Sequence, residues 1–166
     1  MKARARRRSA ATMAEAPLAA LVRAADLPWF PFSGDGIQVK LCRVCLSTGE
    51  MVLLMRAAPG AGLGLHYHHG VFTAYTIAGH WRHRDGDWVA GPGDVVVEPA
   101  GATHAFEAVG EAPAEAFVHI CGAIEFRDED GKTLRVESAE TMHGRYLAHC
   151  ALHGLQPVDV TGGPRP

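Results

Sequence analysis

The sequence predicts an all-β fold, a single small barrel of short strands with one helix at its C-terminal end. Three observations predict it. Turn-forming residues recur about every ten positions from Gly34 to Gly131, a spacing typical of sandwiches and barrels. The runs between them are short and carry Val, Ile, Phe, Tyr and Thr, the residues that suit a pleated surface. Helix signals gather only past Ser138, so no strand–helix–strand unit is available to build a parallel sheet.

Taken in order, residues 1–26 are expected to form a flexible Arg-rich segment. Lys2, Arg4, Arg6, Arg7 and Arg8 precede the first acid, Glu15. Such a start can also be a transit segment or a nucleic-acid arm. The barrel is expected over 27–155. Its strand-like runs are 37–47, 50–57, 63–68, 71–79, 80–84, 87–90, 93–98, 103–109, 115–127 and 132–137, set off by turn signals built on Gly, Pro and Asp. Ser138 is a good helix N-cap, Glu140 complements the first turn, and Gly154 suits the position after the last turn. Met142, Tyr146, Leu147 and Cys150 give that helix an apolar face to dock on the sheet. Residues 156–166 are expected to be a tail, loose over its last six residues, TGGPRP.

Composition narrows the function classes. Of 166 residues, 48% are hydrophobic and 20% charged, which is a folding composition. No stretch reaches the roughly 18 apolar residues of a membrane span, so no membrane partner is expected. The chain carries 16 Lys and Arg against 18 Asp and Glu, and five of the basic residues lie in the first eight. The remaining body is therefore acidic, which argues against nucleic acid as a partner. Cys42 and Cys45 form a CxxC spacing on a predicted strand, where residues three apart face opposite sides. Neither a redox helix nor a second CxxC accompanies it, so free thiols and a reducing, cytoplasmic setting are expected.

Ten histidines are the outstanding feature. His66 and His68 sit two apart on a predicted strand, so both imidazoles face one side, half of a metal site. Among ten histidines that pair alone is a weak signal. A second segment strengthens it: Gly93-Asp94, a valine run, Glu98-Pro99-Ala100-Gly101 and then His104. The glycines let the chain turn sharply at both ends, and in an antiparallel barrel His104 can face the pair.

These two segments resemble the cupin superfamily. Gly60, His66, His68 and Gly79 match its first motif, with Phe72 where the motif has Glu. Gly93, Pro99, Gly101 and His104 match its second, with Ala108 where the motif has Asn. The resemblance implies a cupin-type jelly-roll barrel. Without the glutamate the site is three neutral imidazoles, which leaves open positions on Fe(II) and equally suits Zn(II) with a water.

A narrower resemblance runs further. HYHHGVFTAYTIAGHW, the charged hairpin ending at Trp88, EPAGATHAF and the later GAIEFRDEDGK with RYLAHCALHGL are similar to the 2,4′-dihydroxyacetophenone dioxygenase family over most of 27–155. The resemblance implies an Fe(II) centre held by His66, His68 and His104. It implies a reaction of a small-molecule ketone with O2 that splits the bond between the ketone and hydroxymethyl carbons, giving a carboxylic acid and formate. Glu98 is the candidate catalytic residue: it can orient a ligand, take the substrate's proton or join the metal sphere. Phe72 and Tyr75 are candidates for the substrate pocket. The alternative is a non-catalytic zinc-binding regulatory or sensor cupin, like the cupin half of certain anti-sigma factors. An isomerase or a thiol dioxygenase on the same barrel is a third reading. A homo-oligomer, dimer or tetramer, is expected from exposed edge strands.

The other histidines are expected to be bland. His69 should face away from His68, His80 and His83 should be solvated in the hairpin, and His119 should be a satisfied core residue. His143, His149 and His153 belong to the helix.

Overall fold

The computed structural model describes residues 21–33 and 36–162. Most of the expected N-terminal segment, residues 1–20, lies outside the described residues. The chain enters through a short 3₁₀ turn, Ala24–Asp26, whose Ala24 carbonyl accepts from Lys40 Nζ at 2.6 Å.

The strands among the described residues are, in chain order, β1 (Phe30–Ser33), β2 (Ile37–Cys45), β3 (Glu50–Ala57), β4 (His66–His68), β5 (Phe72–Ala78) and β6 (His80–His83). Then come β7 (Val95–Glu98), β8 (Thr103–His104), β9 (Phe106–Val109), β10 (Ala114–Cys121), β11 (Ile124–Arg127) and β12 (Thr133–Glu137), followed by helix α1 (Ala139–Leu152). The large sheet runs β1-β2-β3-β10-β5-β7, a second runs β12-β11-β4-β8, and β6 pairs with β9. Every pairing is antiparallel. The fold is an all-β jelly roll of the cupin type with one C-terminal helix.

Alternation explains which face is inside. Ile37, Val39 and Leu41 of β2, Met51, Leu53 and Met55 of β3, and Ala116, Val118 and Ile120 of β10 all point into one core. Their neighbours, such as Phe117, Tyr75 and Val95, point outward in one cross-strand row.

Several expected strands are cut by the sheets they serve. The run 103–109 divides at Ala105, because β8 pairs with β4 while β9 pairs with β6. The run 115–127 divides at Gly122, whose φ of +87° turns the chain from the large sheet into the second. Residues 87–90 form no strand, only a Trp81–Ala90 bridge. β1 was not expected: it is four residues long and includes Pro31, leaving little pattern to read.

Helix α1 starts where its cap predicts. Ser138 Oγ accepts from the Thr141 amide, and Thr141 Oγ1 accepts from the Ser138 amide at 2.8 Å, a reciprocal capping box. Ala139, Met142, Tyr146 and Cys150 are buried, whereas Leu147, expected on the docking face, is exposed. Leu147 lies one position past Tyr146 and so about 100° around the helix from it. The first part of the expected tail, ahead of TGGPRP, is docked. Val158 N donates to Tyr146 Oη at 2.7 Å, Val44 N donates to the Val160 carbonyl at 2.8 Å, and Val160 is buried. Residues 163–166 lie outside the described residues. No described helix is long and apolar enough to cross a membrane.

Candidate metal centre

Strand pairing brings the three histidines together. On β4, His66 and His68 share the inward face. β8 runs antiparallel beside it, with His104 directly opposite His66. The turn between β7 and β8 is fastened to β4 itself: Gly101 N donates to the His68 carbonyl at 2.8 Å, and His68 N donates to the Ala102 carbonyl at 3.0 Å. Gly101 has φ +90°, which accounts for a glycine there. The rings lie 4.7 to 5.1 Å apart, centroid to centroid, and all three are buried.

Glu98 joins them from the large sheet. It ends β7 paired with Phe72 of β5, and it is 4% exposed. Its Oε2 lies 3.0 Å from His68 Nε2 and 3.0 Å from His104 Nε2, and its Oε1 lies 2.8 Å from His83 Nε2. Burial would raise its carboxyl, but the close His104, His68 and His83 rings outweigh burial and hold it far below the usual range. Glu98 is thus a carboxylate inside the barrel.

His66 has a settled tautomer. Its Nδ1 donates to the Gly64 carbonyl at 2.8 Å, leaving Nε2 as the free lone pair. Burial lowers its basicity most, the Gly64 contact opposes this, and His104 and His68 add to the lowering, to about 4. The ring is neutral, as a metal ligand must be.

The donor set fits a divalent cation. His68 Nε2, His104 Nε2 and Glu98 Oε2 are buried and, despite their close approach, none has a partner in hydrogen-bond geometry. Leaving a buried polar atom unpartnered costs about 1–3 kcal/mol, and here three converge on one point. A cation there satisfies them together. Ligand atoms of His66, His68 and His104, and likewise of His83, Glu98 and His104, lie within 4.8 Å of one another.

A family model described as the ChrR cupin-like domain matches residues 18–122. The chain belongs to this cupin family. This cupin is 31% identical to an RmlC-like cupin protein from Ralstonia eutropha JMP134, over 86% of the chain and 93% of the other, with a TM-score of 0.81. It shares its fold with an acetylacetone dioxygenase from Acinetobacter johnsonii (19% identity, 85% and 98% covered, TM-score 0.70). The same holds for a putative acetylacetone dioxygenase from Methylibium petroleiphilum PM1 (22% identity, 81% and 99% covered, TM-score 0.74). No curated protein matches the sequence.

The surroundings divide into a closed side and an open side. Inward, Phe72, Trp81, Phe106, Val118 and Ile124 enclose an apolar cavity of about 30 Å³ beside the histidines, room for one or two waters. Outward, a groove of about 540 Å³ borders the same His83, Glu98 and His104 and is walled by Trp88, Val97 and Pro99. Phe72 lines the inner cavity. Tyr75 does not: it is 47% exposed on the outer face of β5, because it stands an odd number of residues from Phe72.

His83 was expected in solvent and is instead part of the centre. It stacks on His104 with centroids 3.7 Å apart and planes 9° from parallel, and Trp88 meets it edge-on at 4.7 Å. The signal was present: Trp81 and His83 are two apart on one strand, so an inward tryptophan carries the histidine in with it. The charges of Arg82, Arg84 and Asp85 obscured that alternation. His119, expected to be a satisfied core residue, is half-buried on the outer face of β10, with Nε2 3.1 Å from Glu50 Oε1. His69 turns away from His68 to Glu125 Oε2 at 2.9 Å.

Proposed function

We propose that this cupin is a non-haem Fe(II) dioxygenase that cleaves the carbon–carbon bond of an α-hydroxyketone, an aryl one included. The observation that carries the reading is the convergence of three buried imidazoles and one carboxylate between an apolar cavity and an open groove. His66, His68 and His104 would hold the metal, and bound Fe(II) supplies the one-electron chemistry that O2 needs to react with a closed-shell ketone.

The chain's own residues do the rest. The inner cavity is too small for an aryl ketone, so the substrate's larger group lies in the groove against Trp88 and Pro99. Glu98 presents Oε2 to the centre as a carboxylate beside His68 and His104 Nε2, where its negative charge favours a divalent cation. His83 holds Oε1 and so aims Oε2 inward. Phe72 and its apolar neighbours keep bulk water from the reacting carbons. Cleavage puts one oxygen atom of O2 into the carboxylic acid and the other into formate, which balances the equation. The named dioxygenases that share the fold support the reading.

The test is anaerobic loading of the purified chain with Fe(II), elemental analysis and an oxygen electrode. About one iron per chain and O2 uptake with 2-hydroxyacetophenones, with formate released, is the expected result. No uptake with hydroxyacetophenones or β-diketones would overturn it. Trp88→Ala should raise KM about tenfold with kcat little changed, the mark of lost binding away from the reacting atoms.

A second reading is favoured by the family description itself: a zinc-holding regulatory cupin. Tightly bound zinc in the purified protein together with inertness toward O2 would select it.

A further inference from the structure

We propose that Glu98 is a protein ligand of the metal, the carboxylate of the cupin site moved sideways by one strand. The inference rests on the reading that His66, His68 and His104 hold a divalent cation. In the cupin motif the carboxylate belongs at the position that Phe72 fills. Phe72 of β5 and Glu98 of β7 are direct cross-strand partners. Their side chains leave the sheet on the same face, side by side, and both line the cavity beside the histidines. A carboxylate at either position reaches the same space.

The unmade hydrogen bonds favour coordination over an ordinary ion pair. Oε2 lies 3.0 Å from both His68 Nε2 and His104 Nε2, yet makes a hydrogen bond with neither. Ligands bound at about 2.1 Å and at right angles stand about 3.0 Å apart, against about 3.4 Å at tetrahedral angles. The observed spacing fits the edge of a polyhedron with right-angled corners, and the unmade hydrogen bonds leave both nitrogens and Oε2 free for a shared cation. The second oxygen is occupied: Oε1 meets His83 Nε2 at 2.8 Å, and His83 is clamped by its stack on His104 and by Trp88. One oxygen is fixed by the protein and the other is offered, the arrangement of a carboxylate that binds through a single atom. The site then carries three imidazoles and one negative charge while keeping two positions open in a six-coordinate shell.

The experiment uses the full chain stripped with chelator and titrated with Co(II). Visible absorption and the infrared difference spectrum in the carboxylate region are recorded. Wild-type protein should bind one Co(II) with a shift of a carboxylate band. Glu98→Gln, nearly the same shape without the charge, should bind about 10- to 100-fold more weakly and lose that shift. Phe72→Glu combined with Glu98→Gln, which returns the carboxylate to the neighbouring strand, should recover binding to within about tenfold and restore a shift. Wild-type binding with no carboxylate shift overturns the proposal, as does Glu98→Gln binding with unchanged affinity and visible spectrum. In both cases the three-histidine metal centre still stands. Failure of the wild-type chain to bind Co(II) at all would instead remove the metal reading, and this proposal with it. Should Glu98→Gln not fold, the wild-type infrared arm decides alone, since Glu98 is the only carboxylate lining the inner cavity among the described residues.

Discussion

His66 shows how far one side chain's environment sets its chemistry. Burial and the two neighbouring imidazoles keep it unprotonated down to about pH 4, below the ordinary 6.5. The linkage has a definite sign. An unfolded chain takes up this proton near 6.5, and the folded one waits until about 4, so acid favours unfolding across that window. The metal-free protein should lose stability steadily between those two pH values, seen as a falling urea midpoint. At Cys45 the surroundings favour the charged form instead. Contacts with Ser47 and Thr48 lower its thiol to about 7, whereas burial raises that of Cys42. Iodoacetamide should therefore label Cys45 before Cys42, with a rate that climbs as pH passes through 7. A mass-mapped time course checks the order.

Elements are held by a few contacts whose removal is calculable. Glu137, buried at the end of β12, accepts from Thr141 Oγ1 at 2.9 Å and Arg135 at 3.1 Å and is also bonded by Arg145. Arg145 in turn donates to the Pro31 and Phe32 carbonyls, so one carboxylate ties β12, α1 and β1. Ser138→Ala, which removes only the cap, should cost about 1 kcal/mol. Gly79→Ala should cost about 2–3 kcal/mol, because its φ is +66° and a methyl there would sit 2.2 Å from the Pro113 carbonyl oxygen. Chemical denaturation of both variants measures these. The caps and the motif glycines were legible because their signals are local. The three histidines were legible for the same reason, each within a short run of fixed geometry. What was not legible depends on neighbours. Alternation divided β5 into a Phe72 set and a Tyr75 set, but only the opposing sheet decides which set is inside. His83 was lost because adjacent charges looked like solvent. The docking of Val158 and Val160 needed a partner, β2 and Tyr146, that lies far away in sequence.

At the scale of the molecule, the candidate ligands come from both sheets: β4 and β8 belong to the smaller one, β7 to the larger. A cation held there cross-links the two halves of the roll. Free metal a hundredfold above its Kd adds about 2.7 kcal/mol of stability. For a domain of this size that is a rise in Tm of about 5–10 °C over chelator-treated protein, measurable by calorimetry. The composition had indicated an acidic body and a β fold; it could not indicate that the site bridges two sheets.

The strand order of the large sheet has a consequence for how the chain comes to be folded. β10, residues Ala114–Cys121, lies between β3 and β5, which are made much earlier. Until it emerges from the ribosome, β3 and β5 each wait with an unsatisfied edge, and the nascent chain carries two sticky apolar ribbons with nothing to join them. β10 is thus the keystone between two strands made well before it. Closure should follow the appearance of β10, on the millisecond-to-second scale of non-local β topologies. Slower elongation around residues 60–110 would lengthen that exposure, so co-expression with a holdase chaperone should raise the soluble yield.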